Sequence, residues 1–89
     1  LYPNYPNPFN SSTKINCTVQ YPSLITITLY DISGRKIQDI FSGVKNSGRH
    51  SLKYNMNNFS SGIYFYTVTS KTLTKAEIST RTGKLVLLK

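Results

Sequence analysis

The side chains of this 89-residue chain that could carry out chemistry are few and far apart in the sequence. The acids are Asp31, Asp39 and Glu77, and three acids do not supply both a general acid/base pair and the groups that must support it. Cys17 and His50 are the single residues of their types, and neither has a partner at a metal-binding spacing. We therefore predict no enzyme active site, metal site, cofactor or internal disulfide.

Cys17 is better explained as a small core residue. It alternates with Ile15 and Val19, which places all three on one face of a strand. A free cysteine in such a position behaves as a buried apolar side chain. We expect it to resist thiol reagents in the folded protein.

The chain is strongly basic, with 11 lysines and arginines against 3 acids and a formal net charge of +8. A basic domain attracts polyanions, which raises the question of nucleic-acid binding. The basic residues are spread along the whole chain, and the sequence has no basic run and no helical pattern that could enter a groove. Because lysines on exposed strands discourage edge-to-edge association, we interpret the charge as edge protection and predict no nucleic-acid partner.

The chain has no apolar run of 18 residues, so we predict no transmembrane segment. Its beginning lacks the basic region and the apolar stretch of a signal peptide. At this length we expect one domain spanning residues 1–89, excised from a larger precursor.

Alternation of apolar and polar residues with a period of two dominates the sequence and indicates strands. Short strands at this spacing predict an all-β fold, a single antiparallel sandwich of about seven strands. We predict strands at 14–20, 24–30, 35–41, 49–54, 63–69, 73–80 and 84–88. The expected core residues are Ile15, Cys17, Ile27, Leu29, Leu52, Ile63 and Phe65.

Four local features refine this prediction. Asp31 at the start and Gly34 at the end of Asp-Ile-Ser-Gly indicate a type I turn with a left-handed closing residue. Ile37 and Ile40 are three residues apart in the following strand, which suggests a β-bulge. Strand 63–69 is too apolar to have one face exposed to solvent, so we place it in the middle of a sheet. We expect the last hairpin to turn near residues 82–83.

Several segments, taken together and in order, resemble the motifs of one known family. The opening NYPNPFN of residues 4–10, with the STKI of residues 12–15, is similar to the family's first motif. The LYDISGRKI of residues 29–37, the GRHSL of 48–52 and the SGIYFY of 61–66 resemble its internal strands. The KLVLLK of residues 84–89 resembles its terminal motif, although the stretch 71–83 is longer than usual. The family with these motifs is the type A C-terminal sorting domain of the type IX (Por) secretion system, which the chain resembles.

The resemblance implies a non-catalytic Ig-like sandwich that acts as an address on a secreted or cell-surface protein of a Gram-negative bacterium. The partners implied are a cargo protein fused at the N-terminal side, an outer-membrane translocon and a sortase-like protease that removes the domain. The cargo would pass through the periplasm and the outer membrane. Terminal strands suit recognition by strand addition, in which main-chain hydrogen bonds give affinity.

The residues that match the family's motifs are the candidate recognition residues for the translocon and the sortase-like protease. They are Pro6, Pro8, Phe9, Gly62, Tyr64, Lys84, Leu85, Val86, Leu87, Leu88 and Lys89. For the first five of these a packing role is an equal alternative: the prolines and Phe9 would hold an arm over the core, and Gly62 and Tyr64 would serve a bulge and a buried hydroxyl.

Two other functions remain open at this stage. Seven tyrosines and four phenylalanines could form the sugar-binding face of an accessory carbohydrate-binding module, although the chain has no tryptophan to stack on sugars. An Ig-like structural module of an extracellular protein, similar to that of the flagellar hook-capping protein, would share two of the internal motifs. It would lack the opening motif.

Overall fold

The structure, a computed structural model, describes the backbone of residues 2–5 and describes residues 12–88 in full. Its strands are β1 (Tyr2–Tyr5), β2 (Ser12–Val19), β3 (Ser23–Tyr30), β4 (Lys36–Lys45), β5 (Gly48–Asn55), β6 (Gly62–Thr72) and β7 (Ile78–Leu87). In the described part of the chain no helix is long and apolar enough to cross a membrane.

The strands form two antiparallel sheets. One sheet has the order β1-β2-β5 and the other has the order β4-β3-β6-β7. The apolar faces of β2 and β3 contribute to a single core, which confirms the all-β sandwich. The central position predicted for strand 63–69 is also confirmed, because β6 lies between β3 and β7.

The last hairpin differs from the prediction. Residues 12–88 form six strands and not seven, because the strands predicted at 73–80 and 84–88 are one continuous strand, β7. The chain turns earlier, at residues 73–77, where the Ala76 amide donates to the Thr72 carbonyl (2.9 Å) and Ala76 has a φ of 54°. Gly83 is not in a turn but lies opposite Tyr66, whose ring occupies the space that a side chain at position 83 would need.

The hairpin between β3 and β4 confirms both local predictions. The Gly34 amide donates to the Asp31 carbonyl (3.0 Å), and Gly34 has a φ of 90°, as a left-handed closing residue requires. Ile27 pairs with Phe41 whereas Thr28 pairs with Asp39, so Ile40 is the extra residue of a bulge.

The core confirms four of the seven expected residues as buried and corrects two. Ile15, Cys17, Ile27 and Leu29 are buried, and Leu52 is half-buried against them. Ile63 and Phe65 were predicted inside, but the inward face of β6 carries Tyr66 and Val68 instead. The reason is the pairing with β3: Tyr66 lies opposite Leu29 and Val68 opposite Ile27, and directly paired residues share a face of the sheet.

Candidate recognition surface

The pairing of β6 with β7 brings the described candidate residues of these two strands together. Gly62 lies opposite Leu87, and Tyr64 lies opposite Leu85. The candidates Pro6, Pro8, Phe9 and Lys89 lie outside the described residues. The recognition surface can therefore be described on β6 and β7 alone.

Alternation divides the terminal motif between the two faces of β7. Leu85 and Leu87 are both fully buried in the core. Lys84 is exposed and Val86 is half-buried on the opposite face, and Leu88, directly after the strand, is 57% exposed. A partner that approaches the folded domain can therefore reach Lys84, Val86 and Leu88 but not the two buried leucines.

The accessible half of the motif belongs to a larger patch. Ile63 pairs with Val86, and Phe65 pairs with Lys84, so these four side chains project together from the outer face of the sheet; we call them the outer patch. Ile63, Phe65 and Val86 are only half-buried. These partly exposed apolar side chains lie beside the exposed Lys84, so a partner could contact apolar and charged groups together.

Ile63 and Phe65 are the members of this patch that sequence reasoning missed. Hydrophobicity favours isoleucine and phenylalanine over tyrosine as core residues, so the face of β6 was assigned wrongly. The signal in the sequence is Gly83, since a glycine within a strand often marks the close approach of a large side chain from the neighbouring strand. Here that side chain is Tyr66.

Tyr64 is held in place by local contacts. Its hydroxyl donates to the Ser60 carbonyl (2.7 Å), and its ring packs edge-on against Phe59 with centroids 5.8 Å apart. Phe59 in turn contacts Tyr54 at 6.4 Å, and the Gln38 amide donates to the Tyr54 hydroxyl (2.6 Å). Tyr64 thus anchors the loop before β6 against the core.

Gly62 begins β6 with a φ of 156°, and no atom lies within 4 Å of where its side chain would stand. A substitution at this position would meet no steric obstacle from a neighbour. Glycine is needed here for its backbone conformation, which residues with a side chain rarely adopt, and not for close packing.

The position of β7 in the sheet is a second feature that a partner could use. Because β7 is the outer strand of the four-stranded sheet, one edge of its backbone pairs with β6 and the other faces away from that sheet; β1, the outer strand of the other sheet, also contacts β7. An outer strand presents backbone N–H and C=O groups that another strand can pair with. Exposed Arg81 and Lys84 lie on this strand and would favour an acidic partner.

The acidic side chains of the β3–β4 hairpin have structural roles. The Asp31 carboxylate accepts from the Ser33 hydroxyl (2.6 Å) and from the Arg35 amide (3.0 Å) and guanidinium (3.2 Å). These hydrogen bonds, led by that of Ser33, lower the pKa of Asp31 to about 2. A carboxyl group with such a pKa is ionised at neutral pH and does not act as a general acid.

Asp39 is engaged in the same way. Its carboxylate accepts from the Thr28 hydroxyl (2.9 Å) and lies 3.3 Å from the Lys36 ammonium, and these contacts lower its pKa.

Among the described residues, no group of three or more His, Cys, Asp or Glu side chains could hold a metal ion. His50 Nε2 lies 2.7 Å from the Asn46 carbonyl oxygen, which ties the imidazole to the turn before β5.

Comparison with models of known protein families gives a match. A family model described as the secretion system C-terminal sorting domain matches residues 3–87, nearly the whole chain. No curated protein and no solved structure matches the chain significantly.

Proposed function

The chain belongs to the family of secretion-system C-terminal sorting domains, and we propose that the exposed side of β7 is the element by which the type IX machinery recognises it. A domain of this family is a C-terminal sorting signal for type IX secretion and is typically non-catalytic. It implies a cargo fused at its N-terminal side and export through the outer membrane of a Gram-negative bacterium. The carbohydrate-binding alternative gains no support from the family match.

The observation that carries this proposal is the division of the terminal motif. Two of its leucines are buried in the core. Lys84, Val86 and Leu88 are therefore the part of the motif that a receptor can contact. The outer patch adds Ile63 and Phe65 to the same surface. Recognition would combine main-chain pairing along β7 with side-chain contacts on this patch.

Two components of the secretion system would bind the domain one after the other. The outer-membrane translocon would bind it first and export the cargo, and a sortase-like protease would then remove the domain. Cargo release into the medium or attachment at the cell surface would follow from that cleavage. The support for these partners is the family membership of the chain, and the support for a binding surface is the partly exposed apolar patch beside a charged outer strand.

The test is an export assay in a host that has the type IX machinery. A reporter with a signal peptide is fused before the domain, and Lys84→Glu and Leu88→Ser variants are compared with the unchanged domain. We expect the variants to accumulate in the periplasm. Lys71→Glu, an exposed charge reversal on β6 at the other end of the hairpin, is the matched control and should leave export intact.

Folding is measured on the same variants so that loss of export is not confused with loss of structure. Single exposed substitutions usually change the free energy of unfolding by less than about 0.5 kcal/mol. Normal export of folded Lys84→Glu and Leu88→Ser proteins would show that β7 is core and not a recognition element. Equal loss in the Lys71→Glu control would show a dependence on overall charge only.

A further inference from the structure

One end of the sandwich carries most of the exposed apolar side chains. The β2–β3, β4–β5 and β6–β7 connections lie together at this end, because the end of β2 pairs with the start of β5 and the start of β3 pairs with the ends of β4 and β6. We call these connections and the strand ends beside them, within residues 20–24, 44–49 and 71–78, the turn end. Of the eight large apolar side chains that are exposed among the described residues, five belong to the turn end: Tyr21, Leu24, Val44, Leu73 and Ile78. Single exposed apolar side chains are normal, but a cluster of this kind indicates an interaction surface.

Four side chains of the turn end form a level row on the outer face of the four-stranded sheet. In order across β4, β3, β6 and β7 they are Val44, Leu24, Lys71 and Ile78, each paired with the next. Neighbouring strands are ~4.8 Å apart and paired residues lie at the same height, so the row is about 14 Å long. Leu73 follows Lys71 in the chain at up to ~7 Å beyond the row. A flat surface perpendicular to the strands would therefore contact these side chains together.

The turn end is also positively charged. Its cations are Lys45, Arg49, Lys71 and Lys75, and its one acid is Glu77. The other two acids of the chain lie in the β3–β4 hairpin at the opposite end, and each forms an ion pair there. Arg49, Lys71 and Lys75 are exposed. This balance of charge favours an anionic partner.

The mixture of apolar and cationic side chains distinguishes between a protein and a membrane as that partner. Lys71 lies within the apolar row, between Leu24 and Ile78. Lysine is depleted in the buried centre of protein–protein interfaces. At a membrane surface the same arrangement is favourable, because a lysine stem lies along the inserted apolar side chains while its ammonium reaches the headgroups.

We propose that the turn end binds the surface of a bilayer that contains anionic lipids. Val44, Leu73 and Ile78 would enter the headgroup region, and the ammonium groups of Lys71 and Lys75 would contact lipid phosphates. This site goes beyond the proposed function, since the terminal motif lies at the other end of β7, where residue 86 is ~27 Å from residue 78 along an extended strand. One domain could therefore contact a membrane and present its terminal motif at the same time.

The test is the binding of the purified chain to lipid vesicles, measured by co-sedimentation. Vesicles made of equal parts of phosphatidylglycerol and phosphatidylcholine are compared with vesicles of phosphatidylcholine alone. We expect binding to be at least about tenfold weaker without the anionic lipid, because each lysine near an anionic surface increases affinity about fivefold. Leu73→Ser and Ile78→Ser should each weaken binding to the anionic vesicles by about fivefold, because less apolar surface then enters the lipid.

The chain offers a matched control for the apolar substitutions. Ile32 and Ile78 are both 68% exposed, but Ile32 lies in the β3–β4 turn at the opposite end. Ile32→Ser should bind vesicles as the unchanged chain does. Circular dichroism of the variants checks that each remains folded, as exposed substitutions usually do.

The cations are tested by two double variants with the same net charge. Lys71→Gln with Lys75→Gln changes the turn end, whereas Lys14→Gln with Lys53→Gln changes the paired lysines on the outer face of the three-stranded sheet. The first double variant should bind the anionic vesicles at least about fivefold more weakly than the second.

A tryptophan placed at the turn end reports insertion directly, because the chain has no tryptophan of its own. In Tyr21→Trp, anionic vesicles should shift the emission to shorter wavelength, and lipids with brominated acyl chains should quench it. In Ile32→Trp they should do neither.

Equal vesicle binding by Ile78→Ser and Ile32→Ser, or an unshifted emission of Tyr21→Trp, would overturn the proposal and show attraction by charge alone. Equal loss in the two lysine double variants would overturn the turn end as the site. If the chain is a dimer without vesicles and Ile78→Ser makes it monomeric, the apolar cluster joins two copies and the membrane proposal is wrong. All these measurements use purified protein, so failure of the proposal is distinguishable from failure of the β7 variants to block secretion.

Discussion

The contact between Tyr66 and Gly83 allows a direct test of the β6–β7 register on which the recognition surface depends. A Cβ atom added at Gly83 would overlap the Tyr66 ring at Cζ, Cε1 and Oη. Tyr66 is 1% exposed, so its ring has no solvent-filled space into which it can move. Gly83→Ala should therefore destabilise the domain by about 1–3 kcal/mol, the usual cost of overpacking a core.

The same substitution should behave differently when the ring is removed. In a Tyr66→Leu background the obstacle is absent, and replacing a glycine within a strand by alanine should be neutral or stabilising by about 0.5–1 kcal/mol. The two substitutions should therefore be coupled by at least about 1 kcal/mol. Ser79→Ala, an exposed change on the same strand, is the control and should have little effect in either background.

Equilibrium unfolding in urea measures the four free energies, and thermal unfolding should follow at about 4–8 °C per kcal/mol for a domain of this size. If Gly83 were instead in a tight turn with a positive φ, alanine would be unfavourable whether or not Tyr66 is present. An equal cost of Gly83→Ala in both backgrounds would thus refute the register, and with it the placement of Lys84 and Val86 on the outer face.

Three further outcomes are expected from core and charge. Ile27→Ala should lower the free energy of unfolding by about 2–5 kcal/mol, because Ile27 is 3% exposed, and an unchanged urea midpoint would contradict its place in the core. Cys17 should react slowly with thiol reagents until the protein is denatured, because burial excludes the reagent and raises the pKa of the thiol. Equal labelling rates in the native and the denatured protein would refute this. The pKa of Asp31 in the folded protein lies below its ordinary value of 3.8, so its stabilising contribution is present above about pH 4 and is lost as the pH falls towards about 2. Asp31→Asn should flatten that part of a stability–pH curve, and an unchanged slope would show that the turn hydrogen bonds do not influence folding.

The sequence was sufficient to predict those local structures that depend on residues close together in the chain. The alternation of Ile27 and Leu29 determines which face of β3 is buried, and the Asp31 turn depends on side-chain chemistry within a few residues. The bulge at Ile40 also follows from a local break in the period. These elements were therefore predictable before any pairing was known.

The sequence was insufficient to predict those features that depend on pairing between segments far apart in the chain. The inward face of β6 is set by its register with β3, which places Tyr66 and not Phe65 opposite a core residue. β1 was missed because Pro3 argues against a strand, although proline is tolerated in an outer strand such as this one. The candidate motif at residues 84–88 was found by resemblance, but its division into a buried and an accessible half needed the sheet.

The burial of Leu85 and Leu87 links the function of the domain to the completeness of its chain. These residues lie in β7, the last of the described strands, so they are synthesised after the other strands of the sandwich. Without β7, the inward tyrosines of β6 would lack their covering strand and the core would stay open. A polypeptide that terminates before β7 would thus lack a stably folded sorting domain. Only completely synthesised proteins would then be exported. Burial of Leu85 and Leu87 in the last strand would thus make the stable fold of the domain depend on a completely synthesised chain.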